Sequence, residues 1–346
     1  MALSETPGST ATLGTPRPRG AGAVEDLERL AEVAALERPA AAKRMLVIVN
    51  PYATTMSDRL KHLVVYALQG RYDVHAVDTQ SRGHAVDICR EAAREGYDVV
   101  VAFGGDGTVN EAANGLAGSR TALTCLPGGS NNVFCKILGI PNDIVDATEH
   151  LLLLPDRWAP RTVDLGRVNG RWFTFAAGMG LDASVVERVD RHPRLKTRFG
   201  AWYFTEAAVL TFLSRYVVRP PNLSVEVAGE RLEGVSVFLQ NAEPYTYFKS
   251  RPVNLVEGAA LNSGDLAGVV LKRARPYDVP TVAFRALSGA ARIAKHRGVA
   301  AFAGVREAVV RSLDERTIPL QVDGDHVADA REATFTVATN ALHVVA

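Results

Sequence analysis

Apolar runs and helical periodicities alternate along the first half of the chain. Residues 45–49 form a continuous apolar run that stops at Asn50-Pro51, the pattern of a strand covered on both faces. Across residues 58–68, Leu60, Leu63, Val64 and Ala67 recur at helical spacing. Residues 73–77 predict a second strand, 84–95 a second helix, 98–103 a third strand, 109–116 a third helix and 122–126 a fourth strand. The alternation continues to about residue 155 and predicts a Rossmann-like α/β domain over 43–160, with helices on both faces of a parallel sheet.

Past Pro160 the texture changes. Short strand patterns bounded by Gly, Asn and Pro dominate, at 161–168, 171–176, 223–227, 234–239, 266–271, 320–322 and 334–338. They predict a largely antiparallel second domain over 161–346, interrupted by helical stretches at 199–216 and 277–295, with the last residues free to return to the first domain. Residues 1–22 are rich in Pro, Gly, Ser and Thr, carry no apolar signal-peptide core, and read as disordered. Val24, Leu27, Leu30 and Val33 then predict a helix over 23–37, so that 1–42 forms an N-terminal extension.

A chain of 346 residues with 47% hydrophobic content has enough apolar side chains for two domains. Its 39 basic and 38 acidic residues nearly cancel, which removes any global drive toward nucleic acid. Cys89, Cys125 and Cys135 lie in apolar or helical contexts without CxxC spacing, the pattern of reduced, buried thiols in a cytoplasmic protein. No apolar run reaches transmembrane length.

The chemistry concentrates at strand ends. The third strand opens into Gly104-Gly105-Asp106-Gly107-Thr108 and the fourth into Pro127-Gly128-Gly129-Ser130-Asn131-Asn132. Glycine lets backbone approach phosphate closely, and the N–H groups of the following helix start favour negative charge. A lone GGDG is most simply a tight turn; two glycine turns on neighbouring strands are what a nucleotide site needs. Asn50, Thr79, Asp106 and Ser130 all fall at carboxyl ends of strands, where such sheets bind ligands. Thr108 and Ser130 offer hydroxyls to phosphate, and Asn110 offers an amide to phosphate or base. Asp106 is a carboxylate beside a phosphate cradle. It calls for a cation, most simply Mg²⁺, or for a role in accepting a proton.

GGDGTVNEAANGL followed by LPGGSNNVFCKILGIP resembles the diacylglycerol kinase catalytic-domain family, which includes bacterial soluble lipid kinases and sphingosine kinases. The resemblance extends over roughly 44–346 through Val49-Asn50-Pro51, Thr79 with Gly83-His84-Ala85, Val163-Asp164-Leu165-Gly166, the GMGLDA stretch from Gly178 to Ala183, and Val322-Asp323-Gly324-Asp325. It implies a β-sandwich-like second domain with the active site in the cleft between domains, and ATP and Mg²⁺ as cofactors. The implied nucleotide-binding residues are Asn50, Pro51, Thr79, Gly104, Gly105, Asp106, Gly107, Thr108, Asn110, Gly129 and Ser130. It further implies Asp106, Asp164 and Asp265 as metal ligands, Asp182 facing the lipid head group, and Asp325 as general base with Asp106 as rival.

Two departures stand out. The family's third acid follows the asparagine of the PGG turn, where this chain has Val133, and the family's Asp-Gly-Glu is Asp323-Gly324-Asp325. Without the resemblance, VDGD reads as a β-hairpin turn. Gly178-Met-Gly180-Leu-Asp-Ala183 also fits a dinucleotide fingerprint, but lacks the acidic strand end about 20 residues on that would hold ribose.

The leading expectation is an ATP-dependent kinase that converts diacylglycerol to phosphatidic acid. Alternatives are a kinase of a sphingoid or glycolipid alcohol, an NAD kinase-like enzyme, and a non-catalytic nucleotide-binding regulator. The basic stretch 188–198 running into aromatic residues 199–204 suits peripheral docking on the inner membrane face, and a homodimer is compatible with the sequence.

Overall fold

Buried β-branched runs build the first layer. In this computed structural model, which describes residues 21–36, 42–52, 57–180, 222–248, 251–273, 281–282, 284–285, 292–314 and 316–346, the helices are α1 (Ala21–Leu36), α2 (Asp58–Leu68), α3 (His84–Arg94), α4 (Asp106–Leu116), α5 (Val133–Ile137) and α6 (Ile144–Leu153). Four strands, β1 (Lys43–Val49), β2 (Tyr72–Asp78), β3 (Val99–Gly104) and β4 (Ala122–Pro127), run parallel in the order β2-β1-β3-β4. Every residue of β3 and β4 is buried, as expected of central strands covered on both faces. The turn of strand order at β1, with right-handed crossovers, sets α2 on one face and α3 and α4 on the other. Leu27, Ala31 and Ala34 of α1 are buried, and α1 packs against α2 and α6.

Local chemistry fixes where these helices start. Ser57 caps α2 by accepting from the Leu60 N–H, and Asp143 caps α6 by accepting from Val145 and Asp146. The sequence pattern starts a helix at Val109, whereas α4 starts at Asp106 with Gly105 as its cap. The first turn of α4 is therefore made from the glycine motif itself. Its lack of apolar residues hides it from periodicity.

Beyond the parallel strands, the chain adds β5 (Arg161–Val168), β6 (Arg171–Phe173), β7 (Ala176–Met179), β8 (Leu223–Val227), β9 (Glu230–Gly234) and β10 (Ser236–Gln240). There follow β11 (Thr246–Phe248), β12 (Arg251–Val253), β13 (Leu266–Leu271), β14 (Val299–Val305), β15 (Glu307–Ser312), β16 (Ile318–Val322), β17 (Asp325–Ala330) and β18 (Glu332–Val344). The long β18 joins the two halves: Val344 pairs with Leu123 of β4, and Phe335–Val344 runs antiparallel to β5 with an irregularity between Ala338 and Leu342. The parallel sheet thus continues as β4-β18-β15-β8-β9. A second sheet, β14-β13-β10-β7-β16-β17, packs on this extension. Phe173, Val225, Val310 and Phe335 from one sheet share a core with Met179, Val237, Leu239 and Leu320 from the other, which makes a β-sandwich.

The GMGLDA stretch begins in β7, at the centre of that second sheet. Gly180 has φ +113 and packs against Val235 and Ser236, so the glycine there serves close strand packing. Asp182, the basic–aromatic segment 188–204, the helix expected at 199–216 and most of that at 277–295 lie outside the described residues. Among the described residues, no helix is long and apolar enough to cross a membrane.

Candidate active site

The carboxyl ends of β1, β2 and β3 open on one cleft of about 330 Å³, lined by Asn50, Tyr52, Thr79, Ser81, Arg82, Gly105, Gly107, Thr108, Glu111 and Asp325. Nine of these residues come from the parallel layer, and Asp325 comes from the start of β17 in the second sheet. The cleft is therefore bounded by both domains.

The two glycine turns touch through their backbones. Gly128 N donates to Gly104 O at 2.9 Å, which extends the β3–β4 ladder by one rung. A Cβ on Gly129 would lie 2.7 Å from Gly105 Cα, and one on Gly128 would lie 2.9 Å from Gly104 Cα. Neither neighbour is a side chain that can swing away, so any larger residue forces the turns apart. Gly104 is constrained from another side, because its Cβ would meet Thr108 Oγ1 at 2.5 Å. Asn50 closes the rear of the cradle by donating from Nδ2 to Thr108 Oγ1 at 3.1 Å, while its Oδ1 accepts from Tyr52 N at 3.0 Å. Thr79 is fixed after β2 by its N–H to Val49 O at 2.9 Å. Ser130 is exposed at the apex of the second turn, and Pro51 accepts from Lys61 Nζ at 3.0 Å.

Asp106 is half-buried at the first position of α4 and accepts from Phe134 N at 3.2 Å, at the start of α5. Burial above all, opposed by the N–H groups of Val133 and Phe134 and reinforced by the carboxylates of Asp323 and Asp325, leaves its carboxyl pushed up to about 6. Val133, where the family pattern has an acid, is buried and supplies a backbone donor to Asp106. Asn132, which precedes Val133, is engaged within the glycine turn. Its Oδ1 accepts from Gly129 N at 2.8 Å and its Nδ2 donates to Gly129 O at 2.9 Å, so the amide closes the turn on itself.

Asp325 stands against the first turn of α4: a Cβ on Gly107 would lie 2.5 Å from its Oδ2. It is carried there by a tight hairpin between β16 and β17, whose two turn residues Asp323 and Gly324 have φ of 49° and 84°. VDGD is thus a hairpin turn that also delivers a carboxylate to the cleft. Asp323 itself is buried and accepts from Asn110 Nδ2 at 2.8 Å, Thr174 N at 2.8 Å, Thr174 Oγ1 at 2.9 Å, Phe175 N at 3.0 Å and Ala176 N at 3.1 Å. Burial pushes this carboxyl above the usual carboxylate range and the hydrogen bonds oppose that push. Five donors suit the ionised form.

Three residues stand elsewhere than their expected roles require. Asn110 is buried, and its amide is engaged with Asp323, Trp172 O at 2.9 Å and Arg171 Nη2 at 2.9 Å. It therefore braces α4 on the second domain and does not face the cleft. Asp164 is buried with Oδ2 accepting from Gly264 N at 2.7 Å and Oδ1 from Asn340 N at 2.9 Å. Asp265 lies in an exposed turn and accepts from Ser263 Oγ at 2.8 Å. Asp106, Asp164 and Asp265 do not come together: among the described residues, no three His, Cys, Asp or Glu side chains group as a metal site.

Sequence reasoning passed over three residues that the fold makes central: Asp323, Glu111 and Arg82. Glu111 on α4 reaches the start of α3, accepting from Gly83 N at 2.7 Å and Ala85 N at 3.2 Å. Arg82 Nη2 lies 3.7 Å from Asp325 Oδ1 across the cleft. The signal for Glu111 lies within GGDGTVNE, one helical turn past Gly107 on the same face.

A parallel layer with two abutting glycine turns, faced by a carboxylate from a β-sandwich, defines a two-domain α/β protein with a cleft between its halves. Residues 44–168 match the diacylglycerol kinase catalytic domain. The chain is 31% identical over 255 residues to a diacylglycerol kinase of Bacillus subtilis (strain 168), covering 71% of this chain and 80% of that one. It is 36% identical over 143 residues to a diacylglycerol kinase of Staphylococcus aureus (strain bovine RF122 / ET3-1), covering 39% of this chain and 44% of that one. A crystal structure of a diacylglycerol kinase from Bacillus anthracis shares the fold with a TM-score of 0.64 at 20% identity, over 89% of this chain and 98% of that one. The chain belongs to the diacylglycerol kinase family.

Proposed function

We propose that the protein is an ATP-dependent lipid kinase that transfers the γ-phosphate to a lipid hydroxyl, with diacylglycerol as acceptor and phosphatidic acid as product. Membership in the diacylglycerol kinase family supports the activity. The observation that carries the mechanism is the cleft itself, where a carboxylate from one domain stands against the glycine turn of the other.

Phosphoryl transfer leaves the protein mainly positioning and charge stabilisation. The backbone of Gly104–Thr108 with Gly129 receives the nucleotide phosphates, and Asn50, Thr79 and Thr108 complete the wall. Ser130 reaches the phosphates from the exposed apex of its turn. Of the acids expected to hold Mg²⁺, Asp106 is the one in the glycine turn itself. Asp106 is destabilised as an anion by burial and by Asp323 and Asp325, and a cation offsets that repulsion. Asp106 would hold the ion together with the phosphates, since Mg²⁺ commonly takes one or two carboxylates plus substrate oxygens. When bound, the ion neutralises charge that develops on the transferred group.

Asp325 accepts the proton of the attacking lipid hydroxyl, which leaves the oxygen free to take the phosphoryl group. Its place on a hairpin braced by Asp323 supports this role, because a base must be held within hydrogen-bond reach of its substrate. The lipid reaches the cleft from a membrane surface, on which the enzyme acts as a peripheral protein. Phosphorylation of a panel containing diacylglycerol, sphingosine, ceramide and a glycolipid with Mg-ATP tests the acceptor. Diacylglycerol is expected to give the highest kcat/KM, and a higher value for another alcohol would reassign the substrate.

A further inference from the structure

Two helices of the parallel layer begin at the cleft. α4 begins at Asp106 within the glycine turn, and α3 begins at His84, just past the cleft-lining Ser81. The N–H groups at a helix start attract an anion. At α3 the protein supplies that anion itself: Glu111 Oε1 accepts from Gly83 N at 2.7 Å, and its Oε2 accepts from Ala85 N at 3.2 Å. Gly83 has no side chain with which to cap α3, so the cap comes from α4.

Glu111 stands one turn past Gly107 on α4, and long helical side chains lean back toward the helix start. The lean carries the carboxylate to the cleft wall, where it is half-buried. A carboxylate offers about four lone-pair sites on its two oxygens. The backbone bonds use one on each oxygen, so both keep acceptor capacity.

This charge sorts the two ends of a nucleotide. A phosphate at the start of α3 would meet a carboxylate already bonded there, whereas the glycine turn at α4 is built from backbone. The uncharged nucleoside is left for the Glu111 end of the cleft. An acceptor-only side chain there seeks hydroxyl donors, and in dinucleotide-binding α/β folds an acid takes the ribose hydroxyl in this way.

We propose that Glu111 is the residue that reads the sugar: its carboxylate accepts from the vicinal 2′- and 3′-hydroxyls of the nucleotide while it holds the start of α3. The cleft therefore selects ribonucleoside triphosphates over their deoxy counterparts. This inference rests on the kinase reading above and deepens it.

Isothermal titration calorimetry of the full chain with Mg-ATP and with Mg-2′,3′-dideoxyATP tests it. The wild type is expected to bind ATP about tenfold tighter or more, the effect of hydrogen bonds to a charged acceptor. In Glu111→Gln the preference is expected to shrink to within about threefold, through weaker binding of ATP with dideoxyATP little changed. A role confined to holding α3 would weaken both nucleotides by the same factor and keep their ratio, which would overturn the inference. Should Glu111→Gln not fold, two further analogues decide the matter in the wild type. An acceptor in the protein keeps most of its affinity for 2′-amino-2′-deoxyATP, whose amine donates, and loses about threefold or more for the 2′-fluoro analogue, which cannot donate. The reverse order, or equal affinity of the wild type for ATP and dideoxyATP, would overturn the inference and leave the kinase reading intact. A wild-type protein that binds no ATP would overturn both.

Discussion

Asn110 on α4 and Asp323 at the end of β16 lie 213 positions apart in sequence and are joined by an Nδ2–Oδ2 hydrogen bond of 2.8 Å. This bond ties the helix that begins in the glycine motif to the hairpin that carries Asp325. The same carboxylate also accepts from Thr174, Phe175 and Ala176, so one side chain registers α4, β7 and the hairpin together. Asp323→Ala strands several buried donors and is expected to cost about 3 kcal/mol or more of stability. Asp325→Ala, at a partly exposed position, is expected to cost less than about 1 kcal/mol. Urea denaturation of both variants checks the contrast, and equal losses would contradict it.

The atom nearest to a Cβ on Gly128 or Gly129 belongs to backbone. Gly129→Ala must push its new methyl group into Gly105 Cα, 2.7 Å away, so it is expected to separate the turns and abolish nucleotide binding. Gly107→Ala meets only the end of the Asp325 side chain, which can turn aside. That variant should keep nucleotide affinity within about threefold and lose kcat by about tenfold or more through displacement of Asp325. Nucleotide titration and steady-state kinetics on the two proteins separate the cases. Full activity in Gly107→Ala would argue against a working role for the Asp325 contact.

Part of this arrangement is legible in the sequence, and the division has physical reasons. The parallel strands announce themselves as apolar runs because both faces are covered, and the glycine turns follow from the backbone freedom they need. Asp325 is legible through the hairpin signal of Asp323-Gly324 and through the family motif. The roles of Asn110 and Asp164 are not. Their residue types suit phosphate or metal, but each is committed to partners at the far end of the chain, at Asp323 and Asn340, which only tertiary pairing brings near. Arg82 is hidden for the same reason, since a lone arginine in a polar loop acquires meaning only opposite Asp325. β18 shows only as a short strand pattern, because its length comes from serving both domains.

The fold destabilises Asp106 as an anion. Its carboxyl titrates near 6 in the fold, above its unfolded value, so the folded state prefers the protonated form. Stability from this group is therefore greatest at low pH and is lost as pH rises through about 6. In EDTA, Asp106→Asn should raise Tm relative to wild type at pH 8, with the gap closing as pH falls below 6 and absent near pH 4. The same substitution removes the anion expected to hold Mg²⁺ and should abolish phosphate transfer. A Tm gap that is constant with pH would contradict the assignment.

The central claim is that Asp325 takes the proton of the lipid hydroxyl from its seat beside Gly107. Single-turnover transfer from Mg-[γ-³²P]ATP to diacylglycerol in mixed micelles, compared between wild type and Asp325→Asn with ATP saturating both, tests it most directly. The account predicts labelled phosphatidic acid from the wild type and a rate lower by about 10²–10⁴ in the variant, the usual contribution of a positioned base. Transfer by Asp325→Asn at the wild-type rate would contradict it.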